Sequence, residues 1–290
     1  MDLTSSETIK EFLRKNNISP SRDRGQNFLI DKNVLEKIVE TADLKKNDIV
    51  LEIGAGFGTL TERLVQKAGK VITVESDRGI LPILRRNLEN YKNVEIIEKD
   101  VLQIPSNLLP VISYSYKIVA NLPYQITSIV LRKFLESEPR PSEMVVMVQK
   151  EVAERICALP LLCNATARRA GEMSILAISV QFFGEPEIIE IVPRSSFYPA
   201  PEVDSAILKI SNIKKQTEKN IKKIAPKDFF RVVKVGFSAR RKQLHNNLTN
   251  GLHLKSEEVK NILLDLGLDI QVRAQDLSVD DWINLGNKLK

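Results

Sequence analysis

Four short, largely apolar runs punctuate residues 48–121: "DIVLEIG", "KVITVES", "NVEIIEKD" and "YKIVAN". Each is too short for a helix and too continuous for a strand with one wet face, so each reads as a strand buried on both sides. The stretches between carry apolar residues at helical spacing; "TLTERLVQKAG" stops at Gly69 and "GILPILRRNLENY" holds Pro82 near its start. Gly just past a helix and Pro just inside one are the expected punctuation. Ahead of the first strand, residues 31–46 set Val34, Leu35, Ile38, Val39 and Ala42 on one helical face behind an N-cap-like Asp31. Strand and helix alternating at this rhythm predict the α/β class with a parallel, doubly wound sheet, whose ligands lie beyond the carboxyl ends of its strands. Farther on, "TSIVLRKFLES" reads as helix, "EMVVMVQKEVAERI" as strand then helix, "EMSILAISVQFF" as helix then strand, and "VDSAILKI" as a final strand.

After Ile210 the polar stretch "SNIKKQTEKNIKKIAPKD" reads as a linker, and the spacing beyond it is helical throughout: "FFRVVKVGFSARRKQLHNNL", "SEEVKNILLDLGL" and "SVDDWINLGNKL". The expected division is an α/β domain over residues 1–212, with 1–26 as an N-terminal extension, and a smaller all-helical domain over 213–290. Charge follows the same line. Residues 211–250 hold eleven Lys and Arg against Glu218 and Asp228, while the other 32 basic and 35 acidic residues leave the rest at −3. A basic segment on a near-neutral body suits a polyanionic partner, although a solvated helix face has the same composition. No apolar run approaches the ~18 residues of a spanning helix, and "MDLTSSETIKEFLRKNN" lacks the apolar core of a secretory signal. With only Cys157 and Cys163 and two His, the expectation is a reduced, cytoplasmic chain with no metal site and no membrane partner; nothing requires more than a monomer.

The loop "LEIGAGFGTLT" places Gly54, Gly56 and Gly58 directly after a strand and before a helix. Glycine serves where backbone bends sharply and lies against a ligand that a Cβ would strike. The spacing is not the dinucleotide G-x-G-x-x-G, because Thr59 stands where the third glycine belongs. It matches the acidic-x-G-x-G-x-G form that resembles the S-adenosylmethionine site of Rossmann-like methyltransferases; a purely structural tight turn has the same look. Glu75 ends the second strand, 21 residues after Gly54, where a carboxylate can accept both hydroxyl protons of an adenosine ribose. Asp100, followed by Val101, ends the third, where it can accept from the adenine amino group. Either acid alone also suits a turn cap, but the two together on the ligand edge of one sheet point to a nucleoside. Glu52, inside the first strand, either positions the loop or meets the sulfonium end of the cofactor.

The fourth strand runs into Asn121-Leu122-Pro123-Tyr124, poor material for continuing a sheet. Beside a methyl donor, that ending has a use. An exocyclic adenine N6 is a weak nucleophile because its lone pair is delocalised into the ring. Accepting its two N–H hydrogens, on the Asn121 side-chain oxygen and the Leu122 carbonyl, favours a more tetrahedral nitrogen whose lone pair faces the methyl carbon. Pro123 stiffens the turn, and Tyr124 offers a face on which a purine stacks. Alignment and electrostatics then carry the rate without a dedicated general base, and the base must leave its stack to enter. An Asn-x-Pro turn packed on a core tyrosine is the structural alternative.

Over nearly its whole length the chain resembles the bacterial small-subunit (16S) rRNA adenine N6,N6-dimethyltransferase family. The likeness rests on "GQNFLIDKNVLEKIV" (25–39), "VLEIGAGFGTLTE", the strand end at Asp100, "ANLPYQITS", "VQKEVAERI", "FYPAPEVDSA" (197–206), "FSARRKQLHNNL" and "RAQDLSVDDWINL". The resemblance implies S-adenosylmethionine-dependent conversion of two adjacent adenosines in the 3′-terminal hairpin loop of 16S rRNA to dimethyladenosines, with two methyl donors per base. It implies a role in small-subunit biogenesis, with the rRNA or a small-subunit precursor as partner. It also implies that Gln26, Asn27 and the Leu29 backbone line the cofactor site with Gly54, Glu75, Asp100 and Asn121, and that Phe197 flanks the target base opposite Tyr124.

Arg231, Lys234, Arg240, Arg241 and Lys242 are the expected phosphate-binding residues of the helical domain. Their spacing puts Arg231, Lys234 and Arg241 roughly on one helical face, with Phe229, Phe230, Val233, Phe237, Leu244 and Leu248 turned to a core. The chain departs from the family between Arg155 and Gly171, where "ICALPLLCNATARRAG" is several residues longer than the usual loop. RNA contacts are therefore not carried over to Arg168 and Arg169, and Cys157 and Cys163 read as packing residues.

Other readings stand beside this one. Large-subunit (23S) rRNA methyltransferases of the macrolide-resistance type share the glycine loop and an N-x-P-Y motif, though "FSARRKQLHNNL" and "RAQDLSVDDWINL" favour the small subunit. DNA adenine methyltransferases carry Pro-Pro-aromatic where this chain has Leu-Pro-Tyr. A non-catalytic ribosome-assembly or nucleic-acid-binding factor on a retired scaffold has no need of the cofactor-site residues, all of which are present.

Overall fold

The four apolar runs become adjacent strands of one sheet in the computed structural model, which describes residues 4–20, 25–105, 115–160, 172–213 and 224–289. These residues form two compact units. One holds the described residues up to Ala153 together with Glu185–Ile213; the other holds those of Glu154–Gly184 together with those after Ile213.

In the first unit, α1 (Ser6–Lys15) and β1 (Phe28–Leu29) precede the sheet. Strands β2 (Ile49–Ile53), β3 (Lys70–Glu75), β4 (Val94–Glu98), β5 (Tyr116–Asn121) and β6 (Glu143–Gln149) then pair in parallel in the order β4-β3-β2-β5-β6. Helices α2 (Lys32–Thr41), α3 (Thr61–Lys67), α4 (Leu81–Leu88) and α5 (Thr127–Glu136) lie along the chain before and between them. Asp31 caps α2 as its sequence predicts, Oδ1 accepting from the Asn33 and Val34 N–H groups at 3.0 and 3.4 Å. At the other end of that helix, Lys117 Nζ donates to the Ala42 and Asp43 carbonyls at 2.8 and 3.2 Å, and Lys209 Nζ to the Thr41 carbonyl at 3.2 Å. Two lysines of the sheet thus satisfy orphan carbonyls at the negative end of the helix dipole.

The sheet is not wholly parallel. Beyond β6, a strand at Ser205–Ser211 runs antiparallel to it and one at Glu185–Val192 runs antiparallel to that. In chain order these are β7 (Glu185–Val192), β8 (Phe197–Tyr198, paired with β1) and β9 (Ser205–Ser211). β7 has no counterpart among the expected strands, because it is an edge strand of which only Val192 is buried and its register slips between Ile188 and Glu190. The 1–26 extension is likewise part of this unit: Ile9, Phe12 and Leu13 of α1 are buried with Phe57, Ile80 and Ile83.

Helix α6 (Lys150–Ile156) leads into α7 (Ile175–Phe183). Residues 172–183 were expected to pass from helix to strand, yet "ISVQFF" is helical to its end. Its β-branched and aromatic residues favour a strand, but Ser174 caps the helix through the Ala177 N–H at 3.2 Å and seven of the nine residues are buried, so packing overrides propensity. The single cut at 212/213 is redrawn for the same reason. Phe182 stacks on Phe229 of α8 (Pro226–Gly236), centroids 4.1 Å apart, and this draws residues 154–184 into the helical unit. That unit is completed by α9 (Leu244–Leu252), α10 (Ser256–Asp265) and α11 (Val279–Lys288). Phe229, Phe230, Val233, Phe237, Leu244 and Leu248 are buried in it, as their spacing predicts.

Candidate active site

Strand order reverses at β2, the chain moving outward through β3 and β4 on one side and through β5 and β6 on the other. Such a switch point opens a crevice at the carboxyl ends of neighbouring strands. A cavity of about 280 Å³ lies here, lined by the segments that follow β2, β3, β4 and β5 and by residues 25–29.

Gly54, Gly56 and Gly58 have φ of +77°, +56° and +89°, a left-handed backbone that costs other residues ~1–2 kcal/mol. The Gly56 N–H donates to Glu75 Oε2 at 2.9 Å, while Glu75 Oε1 accepts from the Ser76 and Asp77 N–H groups, each at 2.8 Å. The end of β3 thus braces the loop after β2, and Oε2 keeps acceptor capacity for a ligand hydroxyl. Gly54 and Gly56 line the cavity, but Gly58 does not. A Cβ on Gly58 would lie 3.1 Å from Leu84 Cδ1 and 3.4 Å from Leu88 Cδ2, so its place is in the packing against α4.

Glu52 also lines the cavity, 1% exposed, and its Oε2 accepts from Thr61 Oγ1 at 2.6 Å, tying β2 to α3. Burial pushes its carboxyl up to about 7, opposed by the Thr61 hydroxyl and aided by the Glu75 charge. Asp100 Oδ1 accepts from the Leu102 N–H at 2.9 Å, capping a short turn whose Val101 is a buried part of the cavity wall. Lys133 Nζ of α5 holds that turn through the Leu102 and Ile104 carbonyls at 3.0 and 2.6 Å.

Gln26, Asn27 and Leu29 all line the cavity. Gln26 Nε2 donates to Asp77 Oδ2 at 2.6 Å, and the Asn27 carbonyl accepts from Asn121 Nδ2 at 3.3 Å. At the end of β5, Asn121, Leu122, Pro123 and Tyr124 all reach the cavity wall. The Leu122 N–H donates to the Met147 carbonyl at 3.3 Å, and the Tyr124 hydroxyl lies 2.6 Å from Ser205 Oγ. In all, the lining holds the carboxylates of Glu75, Asp77 and Asp100, with the partly protonated Glu52, against the single ammonium of Lys99, a balance suited to a ligand that carries positive charge.

Phe197, like Gly58, is an expected site residue that the cavity does not reach. It is 3% exposed, sits in the core cluster with Leu29 and Val34, and is not part of the cavity lining, because β8 pairs it with Leu29 of β1. Conversely, sequence reasoning passed over Asp77, Lys133 and Ser205. Asp77 stands two residues beyond Glu75, close enough to have been considered; the other two become visible only when distant segments meet.

In the helical unit, Arg231, Lys234, Arg240, Arg241 and Lys242 are exposed, and among the described residues none is in an ion pair. Helix α8 ends at Gly236, so Arg241 belongs to the following turn and not to the helical face of Arg231 and Lys234. Cys163, Arg168 and Arg169 lie outside the described residues.

A family model described as "Ribosomal RNA adenine dimethylase" matches residues 17–290. The chain belongs to this family. Among the dimethylase relatives, "Ribosomal RNA small subunit methyltransferase A" of Dehalococcoides mccartyi is 40% identical, covering 95% of this chain and 90% of its own. The protein of the same description from Enterococcus faecalis is 38% identical, covering 100% and 97%. Among solved structures, a dimethyladenosine transferase from Plasmodium falciparum has a TM-score of 0.70 at 28% identity, covering 89% of this chain and 95% of that one. The 23S rRNA methyltransferase ErmE has 0.69 at 26%, covering 91% and 99%. As a member of the dimethylase family the chain is a methyltransferase, with a Rossmann-like α/β unit and a helical one. Among the described residues no helix is long and apolar enough to cross a membrane, and no group of three or more His, Cys, Asp or Glu is placed to hold a metal.

Proposed function

We propose that the chain transfers methyl groups from S-adenosylmethionine to N6 of two adjacent adenosines in the 3′-terminal hairpin loop of 16S rRNA, dimethylating each during small-subunit biogenesis. The observation that carries this reading is the orientation of Asn121. Its Nδ2 is committed to the Asn27 carbonyl, so Oδ1 is the remaining acceptor at the cavity wall that the glycine loop shares.

The residues present fit the cofactor. Gly54 and Gly56 present backbone without Cβ atoms, Glu75 Oε2 can accept from ribose hydroxyls, Asp100 can accept from an adenine amine, and the excess of carboxylates complements a sulfonium. When bound, the cofactor supplies an electrophilic methyl group.

The chain's own residues present the nucleophile. In the first transfer Asn121 Oδ1 and the Leu122 carbonyl accept the two N6 hydrogens, and in the second one of them accepts the single hydrogen left. Each transfer releases one N6 proton, and the acceptors orient the nitrogen lone pair by alignment and electrostatic preorganisation. Pro123, with φ −58°, fixes the turn, and Tyr124 offers the stacking face. The exposed cations at 231, 234 and 240–242 can meet phosphates, Arg231 while also donating to the Leu289 carbonyl at 3.5 Å. The small-subunit description of relatives at 38–40% identity favours this RNA over the 23S substrate of ErmE, which is 26% identical.

Incubation with labelled S-adenosylmethionine and purified small or large ribosomal subunits tests the reading. Label is expected in small-subunit RNA. Label confined to 23S RNA, or none despite cofactor binding, overturns it, and a chain that binds no cofactor is the non-catalytic factor.

A further inference from the structure

Tyr124 stands on a one-turn segment, Tyr124–Ile126, between β5 and α5. Its main chain is fixed on both sides: Pro123 has φ −58°, and the Pro123 carbonyl accepts from the Ile126 N–H and the Thr127 hydroxyl, both at 3.2 Å. The ring still has two rotors, and a stacking face is useful only when both are set. The hydroxyl end is set from a different strand. Tyr124 Oη and Ser205 Oγ lie 2.6 Å apart, at the short end of the O–H···O range. Ser205 is fully buried at the start of β9, where β6 and β7 hold it from either side opposite Gln149 and Val192.

We infer that Ser205 is a positioning residue for methyl transfer: by holding the Tyr124 hydroxyl it fixes the direction in which the ring that stacks on the target adenine is held. The inference rests on the proposed function. Ser205 does not line the cavity, so its influence falls on alignment of the base and not on cofactor binding. Burial raises the Tyr124 phenol above its ordinary value, against the opposing effect of the Ser205 hydrogen bond, so the ring stays neutral throughout the working pH range.

The test compares the unaltered protein with Ser205→Ala, Tyr124→Phe and the double variant. The readouts are methyl transfer to small-subunit RNA, cofactor Kd and Tm. Each single change is expected to lower kcat about tenfold, the scale of one hydrogen bond, with cofactor Kd unchanged. The double variant should lose no more than either single one, since both remove the same bond. Wild-type kcat in either single variant overturns the inference, as does a double loss equal to the product of the single losses. If Ser205→Ala does not fold, Tyr124→Phe alone decides, because it removes the bond from the other side. Should the unaltered protein transfer no methyl group, the proposed function fails, and ring ordering is read separately by NMR of labelled tyrosine. Averaging of Tyr124 rotamers about the Cα–Cβ bond in the unaltered chain would then overturn the inference, and a single rotamer that becomes averaged in Ser205→Ala would uphold the holding of the ring by Ser205.

Discussion

Asn121 Nδ2 donates to the backbone carbonyl of Asn27 at 3.3 Å, joining the end of β5 to a segment 94 residues earlier in the chain. A carbonyl has no proton to give, so the opposite amide orientation would set two oxygens against each other. The segment just before β1 therefore decides which atom of Asn121 faces a substrate. Asn121→Ala should lower kcat by about 10²–10³, the usual loss for one preorganised polar group in an active site. Cofactor Kd, followed by calorimetry, should change less than about threefold, since Glu75 and Asp100 are untouched. Near-normal turnover removes Asn121 from the mechanism.

Glu52 makes stability depend on pH in a direction opposite to that of most carboxylates. Its folded value, about 7, lies above the ordinary 4.5, so the folded state holds a proton that the unfolded state has released. Its contribution is favourable below about 4.5 and declines as pH rises toward 7. Relative to the parent, Glu52→Gln should be destabilised little or not at all at pH 5 and stabilised by up to roughly 3 kcal/mol at pH 8. Urea unfolding at the two values measures the difference; a pH-independent difference contradicts the burial argument. If Glu52 meets the sulfonium, cofactor affinity in the parent should also rise as pH passes 7 and stay flat in Glu52→Gln.

Gly58 separates packing from binding. Alanine there is strained at φ +89° and meets Leu84 Cδ1 at 3.1 Å, outside the cavity. Gly58→Ala should cost about 2 kcal/mol or more of stability from backbone strain and overpacking, read as a lowered urea midpoint. A folded variant with full stability contradicts the assignment.

The cations of the helical unit should act through counterion release. Replacing Arg231, Lys234 and Arg241 with Gln should weaken RNA binding and reduce the slope of log K against log salt by roughly 2–3. An unchanged slope removes them from the phosphate contacts.

Much of this was legible in the sequence because it is local. The runs ending at Ile53, Glu75, Glu98 and Asn121 became parallel strands, though β4 lies at the sheet edge with no buried residue; Glu75 ends β3, and Asp100 stands two residues beyond β4. Illegible features depended on tertiary context. Residues 175–183 have strand propensity but are surrounded by core on a helix, and β7 hides its pattern at a wet edge. Ser205 offers no local cue at all, since its partner lies 81 residues away.

The most direct measurement is primer extension across the 3′-terminal hairpin of unmethylated 16S rRNA after incubation with this protein and S-adenosylmethionine. Two adjacent stops at adenosines in that loop, dependent on the methyl donor and absent with Asn121→Ala, are the expected result. Read-through with the unaltered protein, or stops that persist in the Asn121 variant, would contradict methyl transfer at this site.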